Sequence, residues 1–183
     1  MNVPVIALRG LTVLPGMTVH FDASRPKSVK AAQLAMATGQ KVMLVMQSDV
    51  MVQDPYYNDV FHFGTLSRVK QLIKMQGDVV RIMVEGLERC ELLNMEHDGS
   101  YLTGDVEFRP LGDINRELEF SRQRALLELL QDELQHSGVE NTMSQKSIPE
   151  LLAIKNLADL VSGLTVSYPF GVDVKQSILD CSS

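Results

Sequence analysis

A chain of 183 residues with 45% hydrophobic and 22% charged side chains has the make-up of one folded domain, or of a small pair sharing a boundary. Its net charge of −6 argues against a sequence-independent grip on nucleic acid, which needs clustered Lys and Arg, and no apolar run approaches the ~18 residues of a membrane span. Cys90 and Cys181 are too few for a disulfide framework, so a cytoplasmic, reducing setting is the default; Met1 to Gly10 carries one charge, Arg9, placed after its apolar residues and unlike a secretory leader.

In chain order, Val3 to Leu8 is a short apolar run containing Pro4, which predicts an edge strand. Pro15-Gly16 marks a turn. Ser24 is the expected N-cap of a helix, with Pro26 in its first turn, Val29, Ala32, Met36 and Ala37 on one face, and Gly39 as the stop. Val42 to Met46 is apolar on both sides and reads as a strand covered on both faces. Ser48 to Asp59, with Asp54-Pro55 and Tyr56-Tyr57, reads as a loop.

Three extended segments follow: Thr65 to Met75, Val79 to Glu85 and Arg89 to Met95. Gln76-Gly77-Asp78 closes the first, and Gly86 is expected at a sharp connection with positive φ between the second and third. The Asp98-Gly99 step supplies a hairpin turn, after which Leu102, Val106 and Phe108 resume the alternation. The expectation is about six strands and one helix up to this point.

Composition shifts near Pro110-Leu111-Gly112. Ile114, Leu118, Ala125 and Leu129 share a helical face, and Ser147-Ile148-Pro149-Glu150 has capping-box spacing ahead of a stripe from Ile154 to Leu164. Asp173 is placed to cap a last helix through Val174 and Ile178, which reads as cut short at Ser183. The fold class is therefore α+β: a β-rich subdomain over residues 1–110, then an α-helical bundle over residues 111–183.

Active-site chemistry is not visible. Gly99 and Gly104 have four residues between them as in a P-loop, but Asp105 occupies the place of the phosphate-binding Lys and would repel a triphosphate. His20, His62, His97 and His136 fall on separate elements without metal-ligand spacing. No Gly-x-Ser-x-Gly elbow occurs, and Cys90 reads as a buried small hydrophobe. Catalytic, cofactor-binding and metal residues are thus all expected to be absent. Methionines cluster in or beside the strands, either as core filling or as a plastic apolar surface, and Met51 beside Tyr56 and Tyr57 is the least easily read as core. Arg25 and Lys27 place two cations where the helix dipole disfavours them, so they serve outside contacts or pair with a carboxylate such as Asp22.

Gly64-Thr65, Gln71-Leu72, Lys74, Gly77, Val84-Glu85-Gly86-Leu87 and Arg89 resemble the N-terminal domain of Lon, the ATP-dependent protease. Ala7-Leu8-Arg9-Gly10, Val13-Leu14-Pro15-Gly16-Met17 and Ser24-Arg25 with Lys27-Ser28 extend the resemblance upstream. Mild departures occur at Ala7, Gly10, Leu14 and Ser24, where the family usually has Pro, Asp or Gly, an aromatic and Gly. The resemblance implies a PUA-like β-barrel or sheet followed by helices. It also implies a non-catalytic role in recognising unfolded or tagged proteins and supporting a homohexamer. ATP, Mg and a Ser-Lys dyad would belong to a longer parent enzyme. Candidate contacts are Arg25, Lys27, Met51, Tyr56 and Tyr57; the alternative is a stand-alone module for RNA or a small ligand.

Overall fold

The computed structural model describes residues 1–110 and 170–181, with positions 124, 125, 128, 160, 161, 163 and 164 between them. The helices expected between 111 and 169, and with them the helical bundle, lie outside the described residues. Seven strands and two α-helices are found among those described: β1 (Asn2–Leu8), β2 (Thr18–Ala23), α1 (Pro26–Thr38), β3 (Val42–Met46), β4 (Phe63–Lys74), β5 (Val80–Leu92), β6 (Glu96–Asp98), β7 (Tyr101–Phe108) and α2 (Val172–Asp180). A single 3-10 turn, Tyr57–Asp59, interrupts the loop after β3.

The strands form one sheet in the order β2-β5-β4-β3-β1-β7-β6, and β5 also pairs with β7. Five strands, β5-β4-β3-β1-β7, therefore pair in a closed circuit. Only β1 and β3 run parallel; the other pairs are antiparallel. The period-two alternation of these two central strands sends neighbouring side chains into different cores. Ile6, Leu8, Val42 and Leu44 join Ala31, Ala32 and Ala35 of α1, while Val5, Ala7, Met43 and Val45 join Leu66, Leu92, Leu102 and Val106. Each fully buried Val, Leu or Ile contributes roughly 1.5–3 kcal/mol, so the double burial of β1 and β3 is the main anchor of the unit.

Several expectations change at this level. Val3 to Leu8 is not an edge: β1 lies between β3 and β7. Pro4 is accommodated because the β3 ladder begins one residue later, at Val5, while β7 alone pairs with Pro4. Val79 to Glu85 and Arg89 to Met95 are not two strands but one, β5, and Gly86 sits within it rather than at a turn. Gly86 is also absent from the glycines with positive φ. Strand β2, unforeseen, pairs with the first half of β5, with Asp22 opposite Arg81. The doubly covered strand at Val42–Met46 is found as expected, buried at every residue.

Helix α1 starts one residue later than its expected cap: Arg25 is the N-cap and makes no side-chain cap hydrogen bond, Pro26 follows, and Gly39 ends the helix at φ 71°. Its buried stripe is Ser28, Ala31, Ala32 and Ala35, whereas Met36 is exposed. Small side chains at i, i+3, i+4 and i+7 let the helix backbone lie close to the sheet, which a Met face would prevent.

By compactness the described chain belongs to two units, residues 1–110 with 172–181, and residues 111–171 with 182–183. Thus α2 packs within the first unit. Leu179 enters the α1-side core, and Gln176, 3% exposed, donates to the Phe63 carbonyl at 3.1 Å. Arg89 closes the contact by donating to the carbonyls of Leu179 and Cys181 at the helix C-terminus and to that of Arg109, its guanidinium 4.2 Å from the Phe63 ring centroid. A cation at a helix C-terminus also meets the negative end of the macrodipole.

Candidate functional site

A charged concave surface of the first unit lies where the start of α1 faces the loop after β3. Arg25 reaches back across the sheet, donating to Gln47 Oε1 at 2.7 Å and to the Ala7 carbonyl. Gln47, 2% exposed, turns its amide to the carbonyls of Asp49 and Val52 at 3.1 and 3.0 Å. Arg9 donates to the same Val52 carbonyl and to Gln53 Oε1, both at 3.0 Å. Arg9 and the buried glutamine thus hold the loop by its backbone, and Arg25 braces the glutamine.

A second tie crosses the cleft. Lys27 Nζ lies 2.7 Å from Asp54 Oδ2 and 2.8 Å from His97 Nδ1, so α1, the loop and β6 meet at one ammonium. With Lys27 donating, His97 Nδ1 acts as the acceptor. The Tyr56 ring covers His97 at a centroid separation of 4.7 Å. The hydrogen bond from Lys27 holds Asp54 below the usual carboxylate range, while desolvation followed by the nearby Arg9 charge lowers the pKa of Arg25. The cleft measures about 340 Å3 and is lined by Arg25, Lys27, Lys30, Asp54, Ser100 and Leu102, among others. A smaller hollow of about 150 Å3 lies beyond Arg25, against Leu8, Phe21 and Ala23.

Of the five candidate contact residues, Arg25 and Lys27 line this cleft, and Tyr56 adjoins it through its contact with His97. Met51 stands on the same loop, 78% exposed, and Tyr56 is 63% exposed. Tyr57 turns inward: its hydroxyl donates to the Leu92 carbonyl at 3.1 Å and its ring stacks on His62 at 4.2 Å. Asp22, the suggested partner of the two cations, instead holds Arg81 through two hydrogen bonds of 2.7 and 2.9 Å. Gln47, Asp54 and His97 were missed by sequence reasoning. Their partners lie 22 to 70 residues away in the chain, and no local spacing announces them. Elsewhere, Cys90 is buried and its thiol is pushed up to about 11 by desolvation, so it does not supply a thiolate near neutral pH. Among the described residues no cluster of three or more His, Cys, Asp or Glu could hold a metal ion.

Residues 2–183 match the family described as the ATP-dependent protease La (LON) substrate-binding domain. The chain belongs to that family. A Lon protease of Lachnoclostridium phytofermentans is 33% identical to this Lon domain over 182 residues, covering 99% of this chain and 22% of that protein. Lon protease 1 of Bacillus subtilis is 27% identical, covering 98% and 23%. The chain thus spans less than a quarter of the length of these relatives. Two solved structures share the fold of the Lon domain. The N-terminal domain of a Mycobacterium avium complex Lon protease has a TM-score of 0.54 at 17% identity, with 91% of this chain and 98% of that one covered. A Lon N-terminal domain protein from Xanthomonas campestris has a TM-score of 0.55 at 16% identity, with 92% and 99% covered. No described helix is long and apolar enough to cross a membrane.

Proposed function

We propose that this Lon domain captures unfolded or tagged polypeptides for an ATP-dependent serine protease of which it forms the non-catalytic part, and that it does so on the surface carrying Met51, Tyr56 and the cleft behind them. The observation that carries this reading is the match of residues 2–183 to a substrate-binding domain. In the same proposal the parent enzyme is a cytoplasmic homohexamer that uses ATP and Mg and cleaves with a Ser-Lys dyad outside this chain. The circuit β5-β4-β3-β1-β7 is read as a PUA-like barrel, supported by its closure through β5 and β7. The physical advantage is avidity. Six weak apolar surfaces on one ring raise the effective concentration of a threaded segment without any single tight site.

An exposed Met and Tyr suit that task. Met adapts its shape to varied apolar side chains, and Tyr offers a large ring with little rotamer entropy to lose. The test is fluorescence anisotropy of a labelled, permanently unfolded protein titrated with this chain. Saturable binding is expected, weakened about tenfold (~1.4 kcal/mol) in the double variant Met51→Ser, Tyr56→Ser. Absence of saturable binding in the parent sequence overturns the capture role; full binding by the double variant overturns its placement on this loop.

A further inference from the structure

The charges around the cleft do not balance. Asp54 is committed to Lys27 and Asp22 to Arg81. Arg25, Arg9 and Lys30 have no carboxylate partner among the described residues, although the protein as a whole is acidic. Arg9 lies close enough to disfavour the charge of Arg25, and Asp54, already bonded to Lys27, offsets this only in part. Arg25 is also partly buried, where a cation with no directly bonded anion is costly. Only neutral oxygens receive its hydrogen bonds, and its other N–H groups have no partner.

The helix behind it is open in the same way. Helix α1 has no side-chain N-cap and no acid in its first turn, and Pro26 brings no N–H, so the Lys27 and Ser28 amides lack a capping side chain at the positive end of the dipole. Ser28 stands there too. It is 6% exposed, lines both hollows, and its hydroxyl has no hydrogen-bond partner within the protein. The Ser28 hydroxyl, an uncapped helix start and the cations Arg25 and Lys30, neither bonded to a carboxylate, border one concave space of about 340 Å3.

We propose that this cleft accepts a carboxylate of the bound polypeptide, held by the Ser28 hydroxyl, the first-turn amides of α1 and the charges of Arg25 and Lys30. The proposal rests on the reading of the chain as a polypeptide-binding domain and adds the chemistry its cleft selects. A carboxylate has two oxygens, so it can accept from the Ser28 hydroxyl and a first-turn amide while the charges of Arg25 and Lys30 attract it. Met51 and Tyr56 on the adjoining loop would then take the apolar residues flanking the acid. The source of the carboxylate is either the C-terminus of the bound polypeptide or one of its Asp or Glu side chains.

Three forms of one labelled ten-residue apolar peptide separate these cases by anisotropy against the 183-residue chain: free C-terminal acid, C-terminal amide, and amide with one internal Glu. At least one acidic form is expected to bind about fivefold or more tighter than the plain amide (~1 kcal/mol), and which one it is identifies the source. That ratio should fall to one in Lys30→Glu, whose side chain is exposed and free of intramolecular partners, and shrink in Ser28→Ala, with both variants shown to be folded by circular dichroism. The ratio should also shrink at high salt. Equal binding of all three forms, or an advantage that persists in Lys30→Glu, overturns the carboxylate site and leaves polypeptide binding intact. If none of the three binds while an unfolded protein does, the carboxylate site also falls; if the unfolded protein fails as well, both readings fall.

Discussion

Gly86 is one of three described glycines, with Gly64 and Gly104, whose surroundings leave no room for a Cβ. A Cβ built at Gly86 would stand 2.4 Å from the Leu14 carbonyl oxygen, because the segment after β1 docks directly on the β5 backbone. Two hydrogen bonds secure that approach, Gly86 N to the Met17 carbonyl at 2.8 Å and Gly16 N to the Gly86 carbonyl at 3.0 Å. Gly86→Val is therefore expected to cost at least about 2 kcal/mol by overpacking. For a chain of this size that is roughly a 4–8 °C drop in Tm by calorimetry; Gly86→Ala should move the same way, since the first added carbon already collides. An unchanged Tm for both would mean that the Leu14–Met17 segment yields without loss. The need for glycine at this position was legible in the sequence, but its reason was not. Positive φ is a local property that a pattern suggests, whereas a backbone from far upstream lying against the strand is a property of the fold.

At the scale of elements, the same division recurs. The buried strand Val42–Met46, the helix stop at Gly39 and the turn at Gly99, where φ is 53°, were readable because each depends on its own side chains. Strand β2 was missed although Val19, Phe21 and Ala23 alternate with Thr18, His20 and Asp22; a single half-buried strand six residues long is a weak signal. The interior position of β1 was hidden by Pro4, which only a known register shows to be harmless. At the candidate site, Arg25 and Lys27 were legible as oddly placed cations, but the loop and the histidine they hold were not.

Helix α2 invites a prediction at this scale. Its C-terminal carbonyls are gathered by the planar fork of Arg89, whose geometry a lysine lacks. Arg89→Lys should loosen α2 while sparing the central strands. Hydrogen exchange read by mass spectrometry should then show faster exchange across Val172–Asp180 and unchanged protection in Val42–Met46. Equal protection of α2 in the variant would assign its docking to Leu179 and Gln176 alone.

For the molecule as a whole, acid is the condition most directly linked to the observed pairs. Asp22, Asp54 and Glu85 are held below their ordinary values mainly by hydrogen bonds from Arg81, Lys27 and Lys70, and Asp105 mainly by one from Asn94. A carboxylate whose folded pKa is depressed adds stability that is complete above its unfolded value, about 3.9 for Asp and 4.3 for Glu, and lost as pH falls through the folded one. These groups are largely exposed, so each contribution is modest and screened by salt. The urea midpoint should stay level from pH 7 to about 5, then fall below about pH 4, less steeply in high salt; a midpoint that rises toward pH 3 would contradict this.

The pairing of β1 with β7 also sets a timetable. Asn2 bonds Asp105 across 103 residues, and β1 has no second neighbour on that side until Tyr101–Phe108 exists. At a synthesis rate of about 5–20 residues per second, the wait is roughly 5–20 s. During it β3 and β4 can already be in place, but Val3 and Val5 have no roof of Leu102 and Val106. The first strand to be made is thus among the last to be sealed, and any pause in translation between β4 and β7 lengthens the interval in which a chaperone, or another nascent polypeptide, can reach it.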